Sequence, residues 1–246
     1  MTSFFKRFRQ KMLAKNKLRK YLIYASGEIM LLVIGILIAL QINNWNERRK
    51  LNDERENYYH QLIADLNTDK VYAKNLIIAF EAVLKQYEKY KETFNNRQLN
   101  TQKTIENLGS LQYSSQPVIF ETNTIKTLIN TGDIGILPQN INTSLTTYLG
   151  NQNNLIDANT LNSKEMIKML NNATSNGANP SLLARIQKQP ELMEQLKIAE
   201  NYSRIILQLE AYHLWQEMTS KTSIYNLSSL IEEADSNIAA IKKELE

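Results

Sequence analysis

The chain has 246 residues, a formal net charge of +4 at pH 7 and no cysteine, which excludes disulfides, thiol catalysis and thiolate metal sites. Residues 1–20 contain eight lysines and arginines and no acidic residue, so the rest of the chain is net acidic. This positive segment directly precedes an apolar one, as do the lysines and arginines that set the orientation of a membrane span. The basic charge therefore gives no reason to expect nucleic-acid binding.

The basic segment, residues 1–20, also carries apolar side chains at helical spacing: Phe4, Phe5, Phe8 and Met12. This pattern predicts an amphipathic helix on the cytoplasmic side that lies on the anionic inner leaflet of the bilayer. The alternative is an unstructured positive tail that only fixes the orientation of the chain.

Residues 21–43 are predicted to form a transmembrane helix. From Tyr21 to Ile42 the only charged residue is Glu28, and such a helix spans about 30 Å, the thickness of a bilayer's hydrocarbon core. No small-residue cleavage site follows, which favours an uncleaved signal anchor. We therefore expect a single-pass protein of the bacterial inner membrane with a cytoplasmic N-terminus and a periplasmic C-terminal domain. Aromatic residues suited to the two membrane interfaces are Tyr21, Tyr24 and Trp45.

One face of this helix predicts self-association. It carries Glu28, Leu32, Gly35 and Ala39. The small residues Gly35 and Ala39 allow close helix approach, and an acid at this depth usually faces protein. Two alternatives stay open: Glu28 relays protons, or it extends to the headgroups and Gly35 has no special role.

The rest of the chain predicts helices. No glycine or proline occurs from Trp45 to Leu108, so a helix should run from about residue 20 to about 95, with 44–60 as a stalk. Further helices are predicted over 101–108, 121–130, 140–172, 191–222 and 228–246, with a tight turn at Gly132 and Asp133. We expect an all-α fold in which the transmembrane helix continues into an up-and-down helical bundle over residues 61–246.

Residues 20–50 resemble a family of single-span membrane proteins from flavobacteria and other Bacteroidetes, with the core K-Y-x-x-Y-A-x-G-E-I-x-L-x-V-I-G-I-L-I-A-L-x-I-N-N-W-N-E. A second similar stretch comprises Ile119-Phe120 and residues 125–137, with Thr131 where the family usually has serine. The family is a domain of unknown function, so the resemblance implies fold and location and no activity. It singles out Gly27, Glu28, Gly35, Asn43, Asn44, Trp45, Asn46, Gly132 and Asp133.

Catalytic and metal-binding patterns are absent from the sequence. His60 and His213 have no neighbouring candidate ligands, and no phosphate loop, nucleophile elbow or dinucleotide fingerprint occurs. We expect His213 to pack inside the bundle and His60 to be solvated. The sequence therefore predicts no enzymatic activity, no cofactor and no metal.

The leading functional hypothesis is a membrane-anchored structural or interaction protein that forms homo-oligomers and presents its bundle to an unidentified membrane or periplasmic protein. The first alternative is a ligand-sensing bundle acting through a membrane partner, which a buried polar pocket near Asp133 or residues 109–120 would favour. The second is an ion- or proton-conducting assembly that depends on Glu28.

Overall fold

The computed structural model describes residue 7 and residues 18–95, 98–113, 116–120, 122–186 and 188–246. The helix predicted over residues 1–20 therefore lies almost entirely outside the described residues. Within them the chain has no strand, which confirms the all-helical prediction. The helices are α1 (Leu18–Glu92), α2 (Thr101–Gly109), α3 (Asn123–Thr131), α4 (Gln139–Ser175), α5 (Pro180–Ile186), α6 (Pro190–Gln195) and α7 (Ile198–Leu245), with 3-10 turns at Thr93–Asn95 and Asp133–Ile136.

The chain divides into two compact units, residues 1–57 and residues 58–246. Helix α1 begins in the first unit and ends in the second. In the first unit, the side chains described from Leu22 to Lys50 are exposed, apart from Ala25, which is half-buried. The second unit contains the hydrophobic core and is built on α1 from Tyr58 onward, α4 and α7.

Two of the long helices, α1 and α4, bury side chains at alternating steps of three and four residues. On α1 the buried positions are Tyr59, Leu62, Leu66, Asp69, Ala73, Leu76, Phe80, Val83, Tyr87 and Tyr90. Helix α4 keeps the same spacing from Ile141 to Leu155. This alternation is typical of coiled-coil-like packing between long helices.

Side-chain contacts fix the helix directions in the second unit. Lys70 pairs with Asp235 and Lys91 with Glu217, so α1 and α7 are antiparallel. Asn151 bonds to Glu233 and Asn176 to Gln208, so α4 and α7 are antiparallel as well. Helices α1 and α4 are consequently parallel, and both are antiparallel to α7.

The parallel arrangement requires the chain to return along the bundle between α1 and α4. This return is made by α2, by an extended stretch that includes residues 116–120, which we call the strap, and by α3. The Tyr72 hydroxyl of α1 accepts a hydrogen bond from the Ile119 amide at 3.0 Å and donates one to the Pro117 carbonyl at 3.1 Å. The Tyr72 ring also packs edge-on against Phe120. Tyr72 therefore holds the strap against α1.

The structure contradicts one predicted helix break. We expected one helix to end near Thr222 and another to begin at Asn226 or Ser228, but α7 is continuous through this region. Thr222 and Ser228 direct their hydroxyls to carbonyls one turn earlier, at 3.1 and 2.9 Å. Cap-type residues inside a helix are tolerated when their hydroxyls bond in this way and burial of neighbouring residues continues.

Candidate functional site

Helix α1 carries all the residues predicted for self-association and for the membrane interfaces. Among the described residues it is the one helix long and apolar enough to cross a membrane, and none of its apolar window is buried. The fractional exposure of its large apolar side chains between Leu22 and Ile42 is 43–73%. Water is an unfavourable surrounding for so much apolar surface, so the segment is a candidate membrane span.

The continuous helix places Glu28, Leu32, Gly35 and Ala39 on one face, and all four are exposed. Apart from the adjacent residues and backbone of α1 itself, no atom lies within 4 Å of the position that a Cβ would take on Gly35. A second helix could therefore approach the backbone closely at this point.

At the polar end of this segment, side chains four residues apart contact each other along the helix. Asn43 donates to the Glu47 carboxylate at 3.0 Å, and the Arg49 guanidinium lies 5.8 Å from the centre of the Trp45 ring. Such pairs between residues four apart keep polar groups and the indole together at one level of the helix. This level is where a membrane interface would lie.

The second unit contains a buried carboxyl that the sequence did not single out. The Asp69 side chain on α1 accepts hydrogen bonds from Thr122, Tyr148 and Gln152, at 2.8, 3.2 and 2.8 Å. All three donors are neutral. Burial raises the pKa of Asp69 above its usual value, and the three hydrogen bonds partly oppose that rise. Asp69 thus ties together α1, α4 and the chain just before α3.

A second α1 carboxylate fixes the same junction. Asp65 accepts the Thr124 backbone N–H at 2.9 Å, in the first turn of α3, where Thr122 makes no capping bond. A carboxylate at a helix N-terminus is stabilising because it satisfies a free amide and opposes the helix dipole. Asp65 and Asp69 together determine where α3 begins.

The predicted turn residues lie at the other end of α3. Gly132 has φ +85°, in the left-handed region that glycine adopts without strain. The Asp133 carboxylate accepts hydrogen bonds from the Tyr58 and Thr131 hydroxyls, at 2.9 and 2.8 Å. Asp133 therefore connects the turn to the start of the second unit, and no arrangement around it indicates catalysis.

An aromatic cluster surrounds His213, which is 1% exposed. Its ring centre lies 4.8 to 5.4 Å from the ring centres of Tyr87, Tyr113 and Tyr212. Nδ1 is 3.1 Å from the Gln216 amide oxygen, which assigns the proton to Nδ1, and Nε2 has no partner among the described residues. Burial lowers the pKa of His213, so the ring is neutral. The expectation that His213 packs inside the bundle is confirmed, and His60 is exposed.

Glu210 closes this cluster on one side. Its carboxylate accepts hydrogen bonds from the Tyr87 hydroxyl, at 3.0 Å, and from the Tyr90 hydroxyl. Burial and the adjacent carboxylate raise the pKa of both tyrosines well above the usual value. Tyrosines that resist ionisation are poor general bases, so the cluster is suited to holding α1 against α7.

A small polar cavity lies between α1, α4, α7 and the strap. It offers about 20 Å³, which is room for about one water molecule. Its apolar lining comprises Phe80, Val83 and Met166, and its polar lining is uncharged: Gln116, Asn159, Asn162, Ser163, Gln216, Thr219 and Ser220. The cavity could hold water or a solute of similar size.

An open groove of about 420 Å³ lies between α4 and α7. Its carboxylate, Glu233, is already engaged by Asn151 at 3.0 Å and by Ser229 at 3.3 Å. Among the described residues no group of three or more histidine, aspartate or glutamate side chains could hold a metal ion. The groove therefore shows no ready-made catalytic or metal-binding arrangement.

Comparisons with known proteins give a similarity to one family over part of the chain and no activity. No curated protein and no solved structure matches the chain. The matching family is described as a family of unknown function, DUF6090, and the match covers residues 28–147. This range includes the candidate span from Glu28 onward, Asp69, Thr122 and the Gly132 turn. Over these residues the chain is thus similar to a family of unknown function, DUF6090.

Proposed function

We propose that the chain is an interaction protein anchored in the bacterial inner membrane by α1 and associated with further copies through the face of Glu28, Leu32, Gly35 and Ala39. The N-terminus is cytoplasmic and residues 61–246 are periplasmic. The observation that carries this proposal is the fully exposed apolar segment of α1. Lipid or other helices must cover this surface, since water does not solvate it favourably.

Charge supports the proposed orientation. The eight basic residues before position 21 are unopposed by acids, and lysine and arginine accumulate on the cytoplasmic side of membrane spans. The anionic inner leaflet would attract this segment further. The bundle at the other end of α1 then meets periplasmic or membrane partners.

The architecture of the second unit supports a binding role over catalysis. Its buried polar groups, such as Asp69 and Glu210, are occupied by donors from neighbouring elements. These contacts join helices to each other and to the chain around the strap, which gives a rigid module. We infer no enzymatic activity and no cofactor.

Two leucine substitutions test the self-association. Gly35→Leu places a bulky side chain on the proposed contact face, whereas Gly27→Leu places the same side chain about 100° away from Glu28 on the helix. We expect Gly35→Leu to convert oligomers to monomers in native gels of membrane extracts, because close helix approach is lost. Gly27→Leu should retain the oligomer. Equal behaviour of the two variants would refute the proposed face.

A ligand-sensing function is the second candidate. The polar cavity that includes Gln116 of the strap favours it, because a bound solute would contact the strap, α4 and α7 at once. The cavity size restricts the solute to about the dimensions of water unless the strap moves. Ser163→Leu should fill the cavity. If a ligand protects the backbone amides of this variant from hydrogen exchange as much as it protects those of the unsubstituted protein, the ligand-sensing function is excluded.

A further inference from the structure

Within the second unit, helix α1 exposes a row of uncharged side chains on the side away from the core. The two large apolar side chains of this row, Val71 and Ile78, have fractional exposures of 61% and 64%. Steps of four and three residues along one continuous helix place its members on one face. We call this set, in which every side chain is exposed, the α1 row: Ala64, Thr68, Val71, Asn75, Ile78 and Ala82.

The α1 row takes no part in the core of the bundle. Val71 lies two residues from Asp69 and two from Ala73, and both of these are buried. Residues two apart on a helix differ in direction by about 160°. The α1 row therefore lies opposite the core-facing side of the helix, where its apolar side chains are free to meet a partner.

The direction of α1 restricts which partner fits the α1 row. Copies that α1 anchors in one membrane all carry this helix in the same direction. A second copy can then lay its own α1 row against this one in a parallel, two-fold arrangement, in which each side chain meets its counterpart. Because the α1 row contains no charged residue, a parallel pair brings no like charges together along it.

Asn75 favours a second copy over an unrelated helix. Among the described residues, none forms a hydrogen bond or an ion pair with its side chain. In a parallel helix pair, an asparagine at one contact position can donate to the amide oxygen of its counterpart, and such a residue fixes register and oligomeric state. Val71 and Ile78, on either side of Asn75, would shield this bond from water.

We propose that a second copy of this chain pairs along the α1 row, with the two α1 helices parallel. The pairing rests on the proposed function, because the α1 row supplies six residues and a stable interface of standard size uses about 20–30 from each partner. Association in the membrane would hold the two rows at a high effective concentration. The contact would end at Gln61 and Lys85, the polar residues that come next on this face.

Disulfide cross-linking of the full chain in isolated membranes tests this pairing. The chain has no cysteine, so Val71→Cys and Ile78→Cys each introduce the only thiol. In a parallel two-fold pair each thiol meets its counterpart at a distance that a disulfide can span. The control is Ser236→Cys, an exposed position of α7 at the same level of the bundle, since Lys70 pairs with the adjacent Asp235. We expect several-fold more covalent dimer from each α1 row variant than from this control.

A charge placed inside the α1 row gives a second readout. Asn75→Asp should reduce the covalent dimer from Val71→Cys several-fold, because two carboxylates would face each other in the contact. The matched change Asn153→Asp, at an exposed position of α4, should leave that yield unchanged. Equal yields with the two aspartates, or no more dimer from Val71→Cys and Ile78→Cys than from Ser236→Cys, would overturn the proposal.

Failure of the α1 row and failure of the membrane contact face give different results. If Gly35→Leu dissociates the native oligomer but the α1 row variants cross-link no better than Ser236→Cys, the copies meet only in the membrane. The α1 row is then wrong and the proposed function stands. If Gly35→Leu leaves the oligomer intact while the α1 row variants exceed the control, the membrane face is wrong and the α1 row is supported.

Discussion

Asp69→Ala should destabilise the bundle through the donors that it leaves behind. Three donors converge on this carboxylate, but Thr122 can also donate to the Gln152 amide oxygen at 2.7 Å. The substitution therefore leaves two buried donors unpaired, the Tyr148 hydroxyl and the Gln152 amide, each worth about 1–3 kcal/mol. Removal of the buried carboxyl also removes its own desolvation cost. We expect a net loss of about 2 kcal/mol in the free energy of unfolding.

Urea unfolding of the full chain in mild detergent measures this loss by circular dichroism. The matched control is Asp235→Ala, which breaks the more exposed ion pair with Lys70 and should cost less than about 1 kcal/mol. An Asp69→Ala variant as stable as the unsubstituted protein, or no less stable than Asp235→Ala, would refute the role assigned to the buried donors.

The pH dependence of Asp69→Asn gives a sharper test of the same site. Because burial raises the pKa of Asp69 in the folded state, the folded chain holds this proton at pH values where the unfolded chain has lost it. The contribution of Asp69 to stability is therefore greatest at low pH and decreases as the pH rises above about 4. The stability of Asp69→Asn relative to the unsubstituted protein should increase from pH 4 to pH 7. A decrease would show that the carboxylate is favoured by folding.

Three further predictions concern the bundle. Burial lowers the pKa of His213 in the folded chain, so the contribution of His213 to stability is present above pH 6.5 and is lost as the pH falls through the pKa that His213 has in the folded chain. His213→Gln should therefore reduce the loss of stability at acid pH, which urea unfolding measures. Glu210→Gln should lower the free energy of unfolding by about 1–2 kcal/mol, because the Tyr87 and Tyr90 hydroxyls lose a charged acceptor; unchanged stability in urea unfolding would contradict the assigned bonds. Gly132→Ala should cost about 1 kcal/mol in unfolding free energy because of its left-handed backbone, whereas Gly150→Ala, inside α4, should not destabilise.

Sequence periodicity predicted most of the helices because their burial pattern is regular, but it placed a break near Thr222 that α7 does not have and missed the interruption at Leu196 and Lys197. The predicted start and end of α1, about 20 and about 95, lie close to the observed Leu18–Glu92. The predicted helix over 140–172 also ends close to the observed end at Ser175, shortly before Gly177, which has φ +106°. These features depend on local propensity and on glycine and proline positions, which a single sequence displays directly.

The Asp69 site was missed although one signal was available. Asp69 occupies a core position of the repeat formed by Leu62, Leu66, Ala73 and Leu76. A strict seven-residue count along α1 would have revealed a carboxyl among buried residues. An acid at a repeat core position indicates a buried polar contact.

The partners of Asp69 could not be predicted from sequence. Thr122, Tyr148 and Gln152 reach it only because the strap returns along the bundle and makes α1 and α4 parallel. This path depends on the tertiary contacts of Tyr72 with Pro117 and Ile119. Local sequence contains no measure of such a path, and short connections favour antiparallel neighbours.

Single-cysteine cross-linking along residues 24–45 in native membranes tests the central claim most directly. The chain has no other thiol, so every covalent dimer reports the introduced position. We predict that the dimer yield rises and falls with a helical period, with maxima at Leu32, Gly35 and Ala39 and minima on the opposite face. A uniform yield along the segment, or maxima on the opposite face, would contradict the proposed association through α1.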